Sequence, residues 1–326
     1  MRYCSQMRTY SRRVHTNRLL PEGSPERKSL HQGRNSMIKS VLVPLDSSEL
    51  AEQALSYAIP IADRHNAELH LVFVINPDAE ASDEDNARAY LAEITTKLQI
   101  KAKVHVRLGS PADEIIETGD DLPDPLIVMT THGRTGIGRW IYGSVADKVV
   151  HASEAPVLLL RSEAGELDGG NIARIVAPVD GSAYSEAALS FAKSMARTFD
   201  SELHVTRVAE TASLYSSLGY ETYAPGAGQP MTDVVEYMVN QTHKYVSEVT
   251  AELREQGFNA QGVVLEGFAG EEILGYERKV EPQLIVMATR GRSGFDRFVF
   301  GSVAERVLKS GKTPVLMVKP QGALEE

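Results

Sequence analysis

Three short segments carry residue types that could hold an anionic ligand, and each of them occurs twice in the sequence. The first is an aspartate that closes an apolar run and stands two residues before a serine, as in Asp46 with Ser48 and Asp180 with Ser182. A carboxylate in this place can accept a hydrogen bond from a sugar hydroxyl, whereas Asp followed by Ser is also an ordinary start for a helix. Both roles can hold together if the serine is the capping residue.

The second segment is a glycine-containing loop at residues 131–136 and again at residues 289–294. Glycines allow the backbone to approach an anion closely, and successive N–H groups in such a turn form a phosphate-binding nest. A loop that merely needs positive φ would have the same composition. Arg134 and Arg292 are candidate phosphate partners by charge, although an exposed arginine in a loop is more often solvated.

The third segment is a Gly-Ser pair, Gly143-Ser144 and Gly301-Ser302, that opens an apolar helical pattern. The free N–H groups and the dipole of a helix N-terminus favour an anion, while Gly-Ser is also a common way to begin a helix. The spacing decides in favour of a ligand, because Gly133 and Gly143 are 10 positions apart, as are Gly291 and Gly301. Two anion-binding elements at the same spacing in both copies indicate that the ligand is a polyphosphate.

These segments belong to an internal repeat. Asp46 and Asp180 are 134 residues apart, and the same separation relates Val74 to Val208. Gly143 and Gly301 are 158 residues apart, so the second copy carries 24 extra residues, all between Val208 and Gly267. The extra segment contains Tyr215, Tyr220, Tyr223, and it reads as a loop before a long helix. These tyrosines are expected to pack on their own domain, with a lid or a partner surface as the alternative, and Trp140 is expected in the core or at an interface.

Short β-branched runs alternate with helical patterns inside each copy. In the first copy the patterns predict strands at 40–46, 68–74, 103–108, 125–131 and 156–161, and helices at 48–65, 86–98, 111–119 and 143–153. The last two strands are apolar on both faces, which is typical of parallel strands covered by helices on each side. The fold class is therefore α/β, with a doubly wound five-stranded parallel sheet in each copy. Ligands of such sheets lie at the carboxyl ends of the strands, where the strand order reverses.

Both copies resemble the ATP-binding type of the universal stress protein family. That family has an Asp after strand one and a G-x2-G-x9-G-[ST] motif after strand four, and the resemblance covers residues 38–161 and 172–319. Gly-x9-Gly-Ser is intact in both copies, whereas Thr130 and Ala288 replace the first motif glycine. The resemblance implies two tandem Rossmann-like domains, related to the adenine nucleotide α-hydrolases.

The resemblance also implies a cofactor, which is ATP, with AMP or ADP and added Mg²⁺ as variants. Asp46 and Asp180 would contact ribose, and Val74 and Val208 would border adenine. The residues at the phosphates would be Gly133, Gly143 and Ser144 in the first copy and Gly291, Gly301 and Ser302 in the second. The further residues assigned to the nucleotide site are Pro44, Thr130, Arg134 and Val145, and Pro178, Ala288, Arg292 and Val303.

Composition excludes several other classes of protein. The net charge of −10 argues against nucleic acid as a partner, because phosphate-binding surfaces are basic. Cys4 is the only cysteine, which fits a reducing compartment and favours the cytoplasm. The sequence has no apolar run of membrane-spanning length. It also lacks a Walker A motif, a nucleophile elbow and a helical pair of metal-binding histidines. His70 and His204, at equivalent strand positions, are expected to be structural.

Five segments divide the 326-residue chain. Residues 1–37 are rich in Arg and Ser and are expected to be a disordered extension, with a start at Met37 or a transit peptide as alternatives. Residues 38–161 and 172–319 are the two domains, 162–171 the linker and 320–326 a tail. An inserted loop is expected near 209–232. By resemblance, the last strands, 156–161 and 314–319, pair to make an internal pseudo-dimer, and a homodimer of chains is a further expectation.

Three functions fit these observations. The first is a stress-response protein that binds an adenine nucleotide in one or both domains and acts as a nucleotide-gated regulator, not as an enzyme. The second is an interaction protein that binds no nucleotide and uses the paired domains as a partner surface, as the lost first glycine suggests. The third is an ATP-using enzyme of the adenine nucleotide α-hydrolase group, which shares this sheet topology.

Overall fold

The computed structural model describes residues 38–78, 80–131, 143–161, 164–165, 167–213, 228–289 and 301–319. The strands of the first copy are β1 (Ser40–Leu45), β2 (Glu68–Ile75), β3 (Lys103–Leu108), β4 (Pro125–Thr130) and β5 (Val157–Leu160). Those of the second copy are β6 (Arg174–Pro178), β7 (Glu202–Ala209), β8 (Ala260–Glu266), β9 (Leu284–Ala288) and β10 (Val315–Val318).

Helices connect the strands in the order expected for a doubly wound sheet. In the first copy they are α1 (Glu49–Glu52), α2 (Leu55–His65), α3 (Ala81–Leu98), α4 (Pro111–Asp120) and α5 (Ser144–Ala152). In the second copy they are α6 (Ala183–Phe199), α7 (Gly228–Glu255), α8 (Ala269–Val280) and α9 (Ser302–Ser310). A short 3₁₀ turn at Asp168–Gly170 precedes β6.

All ten strands join one sheet in the order β3-β2-β1-β4-β5-β10-β9-β6-β7-β8. Within each copy the pairings are parallel, and the two copies meet through an antiparallel pairing of β5 with β10. Leu158 lies opposite Leu316 in that pairing. The contact between the last strands that the resemblance implied is therefore present.

The strand order reverses at one place in each copy. From β1 the chain proceeds outward through β2 to the edge strand β3, and then returns to β4 on the other side of β1. The second copy repeats this path around β6 and β9. The carboxyl ends of β1 and β4, and of β6 and β9, are consequently the places where a crevice is expected to open.

The core lies on both faces of the sheet. Side chains alternate along β1, so that Val41 and Val43 belong to one apolar cluster and Leu42 belongs to the other. Each cluster includes residues from both copies, because the sheet is continuous across the β5–β10 junction. This two-sided burial explains the continuous apolar runs in β4 and β5.

The predicted elements of the first copy are confirmed, with two corrections. The helix expected at 48–65 is divided in two at Gln53–Ala54, and the helix expected at 86–98 begins at Ala81, five residues earlier. The early turn of α3 is polar and therefore lacks an apolar signal. It forms because Glu80 and Asp83 make a reciprocal capping box with backbone N–H groups.

The extra residues of the second copy are partly helical. Helix α7 has 28 residues against 18 in α3, and it begins inside the segment predicted as an inserted loop. The three tyrosines of that segment, Trp140, the N-terminal extension and the C-terminal tail lie outside the described residues. No helix in the described part of the chain is both long and apolar enough to cross a lipid bilayer.

Candidate functional site

The turn after β1 holds the first of the predicted ligand-binding groups. One carboxylate oxygen of Asp46, Oδ1, accepts hydrogen bonds from the backbone N–H of Ser48 at 3.0 Å and from its hydroxyl at 2.6 Å. The Ser48 hydroxyl oxygen in turn accepts from the N–H of Ala51 at 3.1 Å, which caps α1. The serine is therefore the capping residue, and the aspartate orients it.

The second copy has the same geometry. Oδ1 of Asp180 accepts from the N–H and the hydroxyl of Ser182 at 2.9 and 2.6 Å, and Ser182 caps α6 through the N–H of Ser185 at 3.2 Å. Both aspartates are half-buried, directly after the ends of β1 and β6. The serine caps the helix in each copy, as expected, and contact of the aspartate with a ligand stays a prediction.

Gly143 is the N-cap of α5 and is hydrogen-bonded beside the end of β4. Its φ and ψ of −56° and 138° are ordinary extended values, so the backbone here does not require glycine. Gly301 is the N-cap of α9, with similar φ and ψ of −61° and 141°. A need for positive φ is therefore excluded at both positions.

The two helix starts are held against the preceding strands. The N–H of Gly143 donates to the carbonyl of Thr131 at 2.7 Å, and that of Gly301 donates to Thr289 at 2.9 Å. These bonds fix the N-termini of α5 and α9 beside the ends of β4 and β9. The backbone donors of each helix consequently lie on the same edge of the sheet as the turn aspartate.

A cleft of about 940 Å³ opens at this edge of the first copy. A cavity of this size lies within the ordinary range for sites that hold a small organic ligand, about 300–1,000 Å³. The predicted residues that line it come from β1, β2, β4 and α5, and they are Pro44, Asp46, Val74, Thr130, Gly143, Ser144 and Val145. The structure thus brings together seven residues that are far apart in the sequence.

The remaining predicted residues fall in two groups. Pro178, Asp180, Val208, Ala288, Gly301, Ser302 and Val303 occupy the matching strand ends and helix start of the second copy. Gly133, Arg134, Gly291 and Arg292 lie outside the described residues. Thr130 and Ala288, which replace the first motif glycine, are both buried at the ends of their strands.

Tyr90 of α3 lines the cleft but was missed by the sequence analysis. Its hydroxyl donates to Glu52 at 3.0 Å, and in the second copy the Tyr245 hydroxyl donates to Glu186 at 2.5 Å. Burial, followed by the nearby carboxylates, raises the pKa of both tyrosines, which keeps them neutral. The two tyrosines are 155 residues apart, a separation that differs from both 134 and 158 and hides the pair in the sequence.

The equivalent strand histidines are hydrogen-bonded, as expected. Nδ1 of His70 lies 2.9 Å from Nε2 of His105, and Nδ1 of His204 lies 2.7 Å from the hydroxyl of Tyr276. Burial lowers the pKa of His70 and of His105, with further lowering from neighbouring positive charges. Within the described ranges, no group of three or more His, Cys, Asp or Glu side chains could hold a metal ion.

Comparison with known proteins identifies the family. The model of the universal stress protein family matches residues 37–161 and again residues 171–319. The chain belongs to the universal stress protein family. The two matches also correspond to the internal repeat.

Some relatives match one copy of the repeat, and others match both copies. A universal stress protein of Methanocaldococcus jannaschii is 32% identical over 146 residues, which are 45% of this chain and 81% of the relative. Universal stress protein Rv2623 of Mycobacterium tuberculosis is 25% identical over 314 residues, which are 89% of this chain and 99% of that protein. The tandem arrangement is thus shared with a relative of similar length.

A solved structure agrees with the fold. The crystal structure of a universal stress protein from Archaeoglobus fulgidus superposes with a TM-score of 0.65 at 22% identity, covering 87% of this chain and 99% of that chain. At this identity the likeness concerns the fold alone. It supports tandem Rossmann-like domains in this universal stress protein.

Proposed function

We propose that this universal stress protein binds ATP or a related adenine nucleotide in the cleft at the ends of β1 and β4, and that it acts as a nucleotide-gated regulator. The observation that carries the proposal is the convergence of Asp46, Val74 and the start of α5 on one cleft. A carboxylate, an apolar wall and free helix N–H groups match a ribose, a base and phosphates, respectively.

Different residues of the cleft would contact different parts of the nucleotide. Asp46 would accept hydrogen bonds from ribose hydroxyls, and Val74 would cover one face of the adenine. Ser144 and Val145 would offer their N–H groups to the phosphates, with Gly143 leaving room for the approach. ATP would supply negative charge at the helix start, where the dipole stabilises it. Mg²⁺ remains an expectation from the resemblance.

A regulatory role is preferred to catalysis because of the chemistry of the cleft. The described residues that line it include the carboxylates of Asp46, Asp78 and Asp83 but no His, Lys, Arg or Cys side chain, and they make no recognised pair of nucleophile and base. Gating would require that nucleotide-bound and nucleotide-free states differ in their affinity for a partner. The cytoplasm remains the compartment that we infer from the single cysteine.

Thermal unfolding of the full chain with ATP and with adenosine tests the proposal. ATP at about 100 times its Kd should stabilise the fold by about 2.7 kcal/mol, and adenosine should stabilise it less because it lacks the phosphates. Equal or absent stabilisation by the two ligands would contradict the proposal.

The interaction protein without a nucleotide remains the second candidate. It rests on Thr130 and Ala288, which place a side chain where the family motif has its first glycine. It predicts no ATP-dependent stabilisation. Release of phosphate from ATP above background, lost on replacement of Asp46, would instead indicate the enzyme.

A further inference from the structure

The two copies differ at the strand position just before the residue assigned to adenine. Phe73 precedes Val74 on β2, whereas Arg207 precedes Val208 on β7. The two residues are 134 residues apart, as are Asp46 and Asp180, so they occupy equivalent positions. An aromatic ring in one copy is thus replaced by a guanidinium in the other.

Both side chains pack against the equivalent tyrosine. The Phe73 ring lies edge-on to Tyr90, with 5.8 Å between the ring centroids. The guanidinium carbon of Arg207 lies 4.3 Å from the centroid of the Tyr245 ring, within the range of a cation–π contact. Because each tyrosine also donates to the equivalent glutamate, the surrounding scaffold is the same.

A glycine makes space for this guanidinium beside Asp180. Gly181 follows Asp180 with φ of +80°, and Nη1 of Arg207 lies 3.3 Å from the point where a Cβ of residue 181 would stand. The first copy has Ser47 there, with φ of +65°, so its turn carries a side chain where the second copy has the arginine. A serine in the turn is therefore combined with Phe73 in the first copy, and a glycine in the turn is combined with Arg207 in the second.

The wall of the second site is also more polar. Val72 lines the cleft of the first copy, and the equivalent residue on β7 is Thr206. The Thr206 side chain is 1% exposed, and its hydroxyl oxygen has no hydrogen-bond partner among the described residues. The second copy thus has a buried hydroxyl and a cation where the first copy has valine and phenylalanine.

We propose that Arg207 makes the two sites unequal, so that the chain binds one adenine nucleotide, in the first copy. The guanidinium lies beside the turn that carries Asp180 and would compete with a ribose for that carboxylate, whereas in the first copy Asp46 lines the cleft together with the uncharged ring of Phe73. Arg207 is therefore a specificity-determining residue. This inference rests on the proposed function and concerns which of its two sites is occupied.

Calorimetric titration of the full chain with ATP tests it. The expected stoichiometry is one ATP per chain, lost in Gly143→Leu and retained in the matched Gly301→Leu. Two equivalent sites, or a single site lost only in Gly301→Leu, would overturn the inference and leave the proposed function intact. No binding to the wild-type chain would overturn both.

Exchanging the side chains at positions 73 and 207 provides a second test. Arg207→Phe should raise the stoichiometry to two, and an unchanged value of one in a folded variant would overturn the role of Arg207. The reciprocal Phe73→Arg places the guanidinium in the first copy, and it should weaken ATP binding at least tenfold. Unchanged affinity in that variant would also overturn the inference, whether or not Arg207→Phe folds.

Discussion

At the scale of single residues, Asp46 and Asp180 each orient a capping serine, and we propose that Asp46 also binds the ribose. Oδ1 of each accepts two hydrogen bonds that orient the capping serine. A substitution that keeps this acceptor and removes the charge can therefore separate ligand binding from folding, because an amide oxygen still accepts from the serine.

Asp46→Asn is expected to leave the melting temperature nearly unchanged and to weaken ATP binding about 10- to 100-fold. A hydrogen bond to a charged group contributes about 1.5–3 kcal/mol, which sets that range. Calorimetric titration measures the affinity, and Asp180→Asn is the matched control, for which we expect wild-type affinity. If Asp46→Asn bound ATP as well as the wild-type chain, Asp46 would have no part in the site.

The His70–His105 pair should make stability depend on pH. Both have a pKa below the usual value in the folded state, so the unfolded chain binds more protons as the pH falls through about 6.5. The free energy of unfolding should therefore be highest above that pH and decrease from there toward the lowered pKa values.

A valine variant tests the contribution of the pair. His105→Val introduces the residue that the second copy has at the equivalent position, Val263. Urea unfolding between pH 5 and pH 8 should show a shallower decrease for this variant than for the wild-type chain. An identical pH profile would show that the pair does not control the acid side of the stability curve.

At the scale of elements, the repeat was readable because each motif stands at a strand end or a helix start. The strands of the first copy were predicted to within one residue at each end, since apolar runs mark buried parallel strands clearly. The polar first turn of α3 was missed, because capping by Glu80 and Asp83 leaves no apolar periodicity. Tyr90 was missed because it and Tyr245 are 155 residues apart, whereas the repeated motifs are 134 or 158 residues apart.

A substitution at Gly143, just before α5, tests whether glycine is needed there for its small size or for its backbone conformation. Gly143→Leu should fold, because φ and ψ of −56° and 138° are open to any residue, with a cost of about 1 kcal/mol or less at a helix cap. The leucine side chain would enter the cleft and abolish ATP binding. Circular dichroism checks the fold, and titration checks the affinity.

Gly301→Leu is the matched variant, because Gly301 has nearly the same backbone angles. It should have a similar effect on stability and none on the affinity of the first copy. Wild-type ATP affinity in Gly143→Leu would place the phosphates somewhere other than the start of α5.

At the scale of the whole molecule, one antiparallel contact joins the two parallel halves. Within the described strands, β5 and β10 make the pairing that links the copies. Contacts beside it include the Tyr57 hydroxyl, which donates to the carbonyl of Gln283 at 3.2 Å, and Arg64, which lies over the Phe199 ring. The sequence indicated the pairing only through the family resemblance, since no local pattern specifies which strands meet.

Leu316→Asp should weaken this junction. Leu316 is fully buried opposite Leu158, so a carboxylate there would be desolvated without a partner of opposite charge in the pairing. Differential scanning calorimetry should show a lower first transition that is separated from the unfolding of the other half.

Leu108→Asp is the control for the same chemical change at an exposed site, since Leu108 is 59% exposed on the edge strand β3. It should alter stability by about 0.5 kcal/mol or less. One unchanged, cooperative transition in Leu316→Asp would show that the two halves do not depend on the β5–β10 contact.

The nucleotide site itself is best tested by a crystal structure of the full chain with ATP. We predict density for one nucleotide in the cleft of the first copy, with the ribose hydroxyls at Asp46, the base against Val74 and the phosphates at the N–H groups that begin α5. Density for the nucleotide elsewhere, or an empty cleft at saturating ATP, would contradict the account.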